Sequence, residues 1–364
     1  MIVLLRNGDL HTTKVRHCFV AYLRTMYLRS WIGAIGWLLL SGCSNNNTAP
    51  DVSDIKVSVT IDRFDKAFFA LDTLQLAPAL EKLSKNYPGF YPEYMQFILG
   101  VSGDPADSTT RLATLQFLRS YSGINDSLQV RFNDTRDLEK EVETAFRYLH
   151  YYFPSFKPGT ITLYTGPFDA PGVATVRSGT ALGLQQFAGQ DFFAYQTAEL
   201  QALYPSYLSR RFAPLYRVPG IIKAIAEDLF PPRTAELPLV EQMVEKGKYW
   251  YLSSLLLPYH ADSLITGFTE QQLDWCQENE GLIWSHLLKN EDLNSLNPVV
   301  IQTYLGEAPF TQGLSQEYSP GNLGTWVGWQ IVKKYVAAHP ALHPEAVMKT
   351  NPATLLEQAK YKPK

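Results

Sequence analysis

The sequence predicts an α+β fold that is mostly helical, a single domain with a small central β-sheet. Three observations lead there. Over residues 134–153, Leu138, Val142, Ala145, Phe146, Leu149 and Phe153 recur at helical spacing while Glu139, Lys140, Glu143 and Arg147 fall elsewhere, and Pro154 ends the run. Residues 161–164, 172–176 and 182–187 are short apolar stretches separated by Gly and Pro, the punctuation of a small sheet. Between residues 57 and 360 no fixed-period repeat or linker composition interrupts the chain, so 57–364 reads as one globular domain. A chain of 364 residues, 46% of them hydrophobic, has ample material for its core.

The elements follow in order. Residues 31–40 form an apolar run behind Arg24 and Arg29, with Ser41, Gly42 and Cys43 directly after it. It falls short of the roughly 20 residues of a bilayer span and has the build of a signal peptide over residues 1–42. Met26 offers a start that would leave that signal compact. Leu40-Ser41-Gly42-Cys43 resembles the lipobox of bacterial lipoproteins, which implies acylation of the Cys43 thiol and a membrane-lipid anchor at the new N-terminus. Removing residues 1–42 takes five bases and one acid with it, so 32 basic and 35 acidic residues become 27 and 34, a net charge of −7. Cys18 also leaves, and Cys276 remains as a lone thiol.

Residues 43–56 are rich in Ser, Asn, Asp and Pro and read as a flexible tether. Residues 57–64 alternate as a half-buried strand, and 65–71 turn helical with Phe68 and Phe69. Pro219 sits where a helix starts; Ile221, Ile222, Ile225, Ala226 and Leu229 follow at helical spacing, and Pro231-Pro232 stops it. Further helices are expected at about 237–256, 270–289, 297–305 and 320–338. In the last, Ser319 is placed to cap, Pro320 to sit in the first turn, and Gly324 and Gly328 to permit close approach beside Trp326 and Trp329.

The chemistry is narrowed by exclusion. A formal net charge of −3 leaves no basic surplus for nucleic acid. His150, His260 and His286 are isolated, and Pro340 and Pro344 break the helix that would align His339 with His343, so neither a metal site nor another cofactor is expected. No nucleophile elbow, phosphate loop or dinucleotide fingerprint occurs, and Ser-x-x-Lys at 53–56 falls in the tether, so no catalytic residue is assigned. Glu278 and Glu280 stand two apart, which on a helix points them away from a common substrate. Trp275, Glu278, Glu280 and Trp284, with Gly324, Trp326, Gly328 and Trp329, form a candidate partner surface; tight core packing is the other reading of the same spacing.

Several stretches together resemble the gliding motility lipoprotein family GldB of Bacteroidetes. They are Ile61-Asp62-Arg63-Phe64-Asp65 with Phe68-Phe69, Tyr87-Pro88-Gly89-Phe90, Tyr151-Tyr152-Phe153-Pro154, and residues 182–191 ending in Gly189-Gln190-Asp191. Tyr204-Pro205 with Leu208-Ser209-Arg210-Arg211-Phe212, Val218-Pro219, Gly247-Lys248, residues 270–284, Ala308-Pro309-Phe310-Thr311, and Ser319-Pro320-Gly321 through Val332 continue the series. Their order over nearly the whole mature chain carries the likeness. The resemblance implies a non-enzymatic lipoprotein of the cell envelope, anchored to a membrane, facing the periplasm, and contacting gliding or type IX secretion machinery. The family is also distantly similar to zincin-type metalloproteases, where Lys223-Ala224-Ile225-Ala226-Glu227 would occupy the place of His-Glu-x-x-His; on that alignment the scaffold is degenerate, without zinc ligands. A zinc-dependent envelope peptidase and a glycan-binding lipoprotein are the alternatives.

Overall fold

Four strands build the sheet, in the order β1-β2-β4-β3. They are β1 (Ile61–Arg63), β2 (Thr160–Tyr164), β3 (Val173–Val176) and β4 (Gly179–Gly183). β1, β2 and β4 run parallel, and β3 returns antiparallel to β4 on the outer edge. The computed structural model describes residues 49–234, 236–290 and 292–364, and residues 51–364 form one unit. The expected signal at 1–42 and Cys43 lie outside the described residues.

Two strand boundaries differ from expectation. The alternation over 57–64 yields only Ile61–Arg63, because Phe64 already begins a helix that buries Phe64 and Phe68 on one face. The strand expected at 182–187 lies at 179–183, since Arg177 and Ser178 close a two-residue hairpin and Gly179, at φ +141, lets the chain reverse at once. Residues 184–186 then tighten into a 3-10 turn.

The longer helices are α1 (Phe64–Phe69), α2 (Leu76–Asn86), α3 (Ser108–Phe132), α4 (Arg136–Tyr152), α5 (Arg217–Leu229), α6 (Leu239–Leu256), α7 (Glu270–Glu278), α8 (Glu280–Asn290), α9 (Pro298–Leu305), α10 (Leu323–Ala338), α11 (Pro344–Lys349) and α12 (Pro352–Ala359). The helix expected at 270–289 is two, α7 and α8. Asn279 breaks it by turning its side-chain amide onto the Trp275 carbonyl at 2.8 Å, a local bond that competes with helix continuation. α10 begins at Leu323 and not at 320, because Asn322 is left-handed at φ +55. Ser319 therefore does not cap it: its hydroxyl accepts from the Thr311 N–H at 3.2 Å and donates to the Ser315 carbonyl. The 25-residue α3 had little apolar periodicity to announce it, since Thr110, Thr114 and Asn125 share its buried face with Phe117 and Leu128.

Many of the aromatic residues gather in two core clusters among the described residues. In the first, the Phe64 ring lies 4.8 Å from both Phe90 and Tyr94, with Phe68, Phe117 and Tyr164 around them. The second gathers α6 and α10 with α7, α8, α9 and α12. The Ile61-to-Asp65 motif closes the first core with a polar knot. Asp65, fully buried, accepts from Arg63 Nε at 2.9 Å, Arg63 Nη2 at 2.6 Å and Gln129 Nε2 at 2.7 Å. Arg63 Nη1 donates to the Phe132 carbonyl at 2.8 Å, so a cation meets the last turn of α3.

Candidate functional site

The residues proposed as a partner surface separate into two groups. Gly324, Trp326, Gly328 and Trp329 are interior: the two indoles are 2% and 1% exposed, and both glycines face neighbouring backbone or core side chains. A Cβ on Gly328 would lie 1.7 Å from the Met243 carbonyl oxygen, and one on Gly247 would lie 2.3 Å from the Gly328 carbonyl carbon. These two glycines let α6 and α10 cross backbone to backbone, so this half of the surface assignment is corrected to core packing. Trp275 and Trp284 are half-buried against the second core, Glu278 is exposed, and Glu280 accepts from the Tyr361 hydroxyl at 2.7 Å. Trp284 meets the Tyr361 ring edge-on at 5.1 Å, so this group holds down the residues that follow α12.

A cleft of about 300 Å3 opens elsewhere, between α5, α6 and the 204–216 segment. It depends on how α5 is buried. Val218, Ile221, Ile222, Ile225 and Ala226 turn inward, leaving Gly220, Lys223 and Glu227 on the accessible side. Gly220 faces Val173 of β3, and its missing side chain lets helix and strand approach. Trp250 and Ser253 of α6, the turn at 264–267 and Asn322 complete the wall. Arg210 holds the far side in place by donating to the Gly267 carbonyl at 2.5 Å.

Charge is paired within this cleft. Arg211 bridges to Glu307 at 3.0 Å, and Lys223 stands 4.0 Å from Glu227 one turn along α5. Beside them Lys246 donates to the Leu305 carbonyl at 3.1 Å. Burial holds its amine below the usual lysine range and the positive charge of Lys223 lowers it further, while Glu307 and Glu227 act the other way. No histidine or cysteine lines the cleft. Among the described residues, no group of three or more His, Cys, Asp or Glu is placed to hold a metal ion. The lining is largely apolar, with rings from Phe187, Tyr204, Phe212, Tyr216 and Trp250 beside the Arg211–Glu307 pair, so the cleft suits an apolar or aromatic group with polar contacts alongside.

Arg211 and Lys223 each stand in a recognisable stretch of the sequence, but nothing in the sequence joins them to each other or to Glu307, Lys246 and Trp250. No local spacing links these positions; they meet only where α5, α6, the 204–216 segment and the turn after α9 pack together. Cys276 is fully buried, and desolvation pushes its thiol well above the ordinary range, which makes it a core residue and not a nucleophile.

Among the described residues, no helix is long and apolar enough to cross a membrane. Comparison with curated proteins returned no match, and neither did comparison with solved structures. The profile of one family, described as gliding motility protein GldB, matches residues 45–363. That span takes in both cores, the sheet and the whole cleft, and so the chain belongs to the GldB family of gliding motility proteins.

Proposed function

We propose that this protein is a non-enzymatic envelope lipoprotein, anchored through acylated Cys43, that supports gliding by contacts with other proteins of the gliding or type IX secretion machinery. The observation that carries the non-enzymatic part is the cleft wall. Where a zincin alignment would place His-Glu-x-x-His, α5 has Lys223-Ala224-Ile225-Ala226-Glu227, and the nearby charges bind one another. Such a surface suits recognition better than bond cleavage. Zinc content and peptidase activity of the purified protein test it: less than stoichiometric zinc and no hydrolysis of casein or short peptides are expected. Stoichiometric zinc together with hydrolysis would replace this reading by that of an envelope peptidase.

The anchoring part is tested separately. Cys43→Ala is expected to move the protein from the membrane fraction to the soluble fraction and to abolish incorporation of labelled fatty acid, with colony spreading lost. Unchanged fractionation and labelling would overturn the anchor.

A further inference from the structure

The outer edge of the sheet is open over a defined length. In the β3–β4 ladder Val173 stands opposite Leu182, Ala174 opposite Ala181, Thr175 opposite Thr180 and Val176 opposite Gly179. One step before it, the Gly183 N–H donates to the Gly172 carbonyl at 2.8 Å. Bonded and non-bonded pairs alternate along an antiparallel ladder. Ala174 and Val176 therefore bond to β4, whereas the N–H and C=O groups of Val173 and Thr175 point off the edge. Arg177, the next residue in that phase, donates its N–H to Glu93 at 3.2 Å, as an outward-facing group would. At the other end Pro171 has no N–H to offer. Between these stops, two donors and two acceptors have no partner among the described residues.

The two faces of this edge differ. Side chains alternate, so Ala174 and Val176 look toward a cavity of about 230 Å3 walled mainly by Phe90, Tyr94, Phe97 and Ile98, with Glu93, already engaged by the Arg177 N–H, as its one acid and Phe97 73% exposed. Thr175 looks toward a second cavity of about 210 Å3, where Lys157 and Arg177 are exposed and Asp228 is the one acid. Edge strands are ordinarily kept short to discourage pairing, and β3 has four residues. Here, however, only its Arg177 end is plugged, and a recess lies on each side of the unplugged part.

We propose that β3 takes up an extended segment of a partner protein as an additional strand, one that alternates apolar residues over the Phe97 cavity with acidic residues beside Lys157 and Arg177. Backbone pairing supplies the attachment and the two recesses select the alternation. This deepens the reading of the protein as one that works by contacts, and it rests on that reading.

The test uses the full chain in detergent and a capped peptide of alternating leucine and glutamate, with binding followed by fluorescence anisotropy. Thr175→Pro removes one outward donor without touching the β4 ladder, and proline is tolerated on the free side of an edge strand. Peptide affinity is expected to fall about tenfold or more, with the circular dichroism spectrum unchanged. Two further peptides are N-methylated, one on every leucine and the other on every glutamate. Because N–H groups alternate sides along a strand, one of the two is expected to lose binding and the other to keep it. Should Thr175→Pro disturb the fold, this pair decides alone. Absence of binding by the wild-type chain, equal loss by both methylated peptides, or no loss by either overturns the proposal. Fractionation and spreading of Cys43→Ala are read without the peptide, so either reading can fail without the other.

Discussion

Gly328→Ala is expected to cost about 4 kcal/mol or more, at the severe end for one added methyl group. The methyl would sit 1.7 Å from the Met243 carbonyl oxygen, and the atom in its way is backbone inside α6, not the end of a flexible side chain. α6 and α10 must separate to admit it. In doing so they would loosen Trp326, Trp329, Met243 and Val244, all in the second core. At about 2 °C per kcal/mol for a domain of this size, the thermal midpoint should drop by about 8 °C or more. Circular dichroism melting of the purified variant measures it. A midpoint within about 2 °C of wild type would mean that the glycine contact is not what brings these helices together. Loss of motility in this variant would report falling abundance and not a lost binding surface.

Lys248→Met is the second large effect, at about 3–5 kcal/mol. Lys248 is 1% exposed, and its ammonium donates to Glu245 at 2.6 Å, to the Thr350 carbonyl at 2.6 Å and to the Met348 carbonyl at 3.3 Å. One buried cation thus neutralises a carboxylate on its own helix and gathers the carbonyls at the end of α11. Removing it leaves Glu245, itself 4% exposed, charged and unpaired. The double variant Glu245→Leu with Lys248→Met should recover part of the loss, because a buried pair replaced by apolar groups no longer strands a charge. Recovery stays partial because the two carbonyls still lack their donor. Urea denaturation of both variants checks this, and a double variant no more stable than Lys248→Met would show that the carbonyl contacts dominate.

The Gly247-Lys248 pair shows how much of the architecture was legible. Its two neighbouring residues were noticeable as a motif, but neither role could be read from it. Gly247 matters because of Gly328 on α10, and Lys248 because of Thr350 beyond α11. The same holds for Arg63 and Asp65, whose motif stood out in the sequence while Gln129 and the Phe132 carbonyl, which complete the knot, did not. α4 was legible because apolar side chains on one stripe suffice to mark a helix, and it spans Arg136–Tyr152 where 134–153 was expected. α3 was obscured because its inward face carries threonine and asparagine that only long-range partners satisfy: Asn125 Oδ1 accepts from Thr165 at 3.1 Å.

The sequence by itself determined the helical majority, the small sheet, the slight acidic balance of the chain and the family, because periodicity, turn residues, charge and motif order are local or additive properties of the chain. It also determined that the tryptophans of α10 repeat with a helical period, but not whether that stripe faces solvent or another helix. Only the tertiary structure decided that it is core, that Arg211, Lys223, Lys246 and Glu307 converge beside one cleft, and that β3 leaves two residues whose backbone has no partner among the described residues at the sheet edge. Each of these depends on which distant segment packs alongside, and a pattern within one segment carries no record of its neighbour.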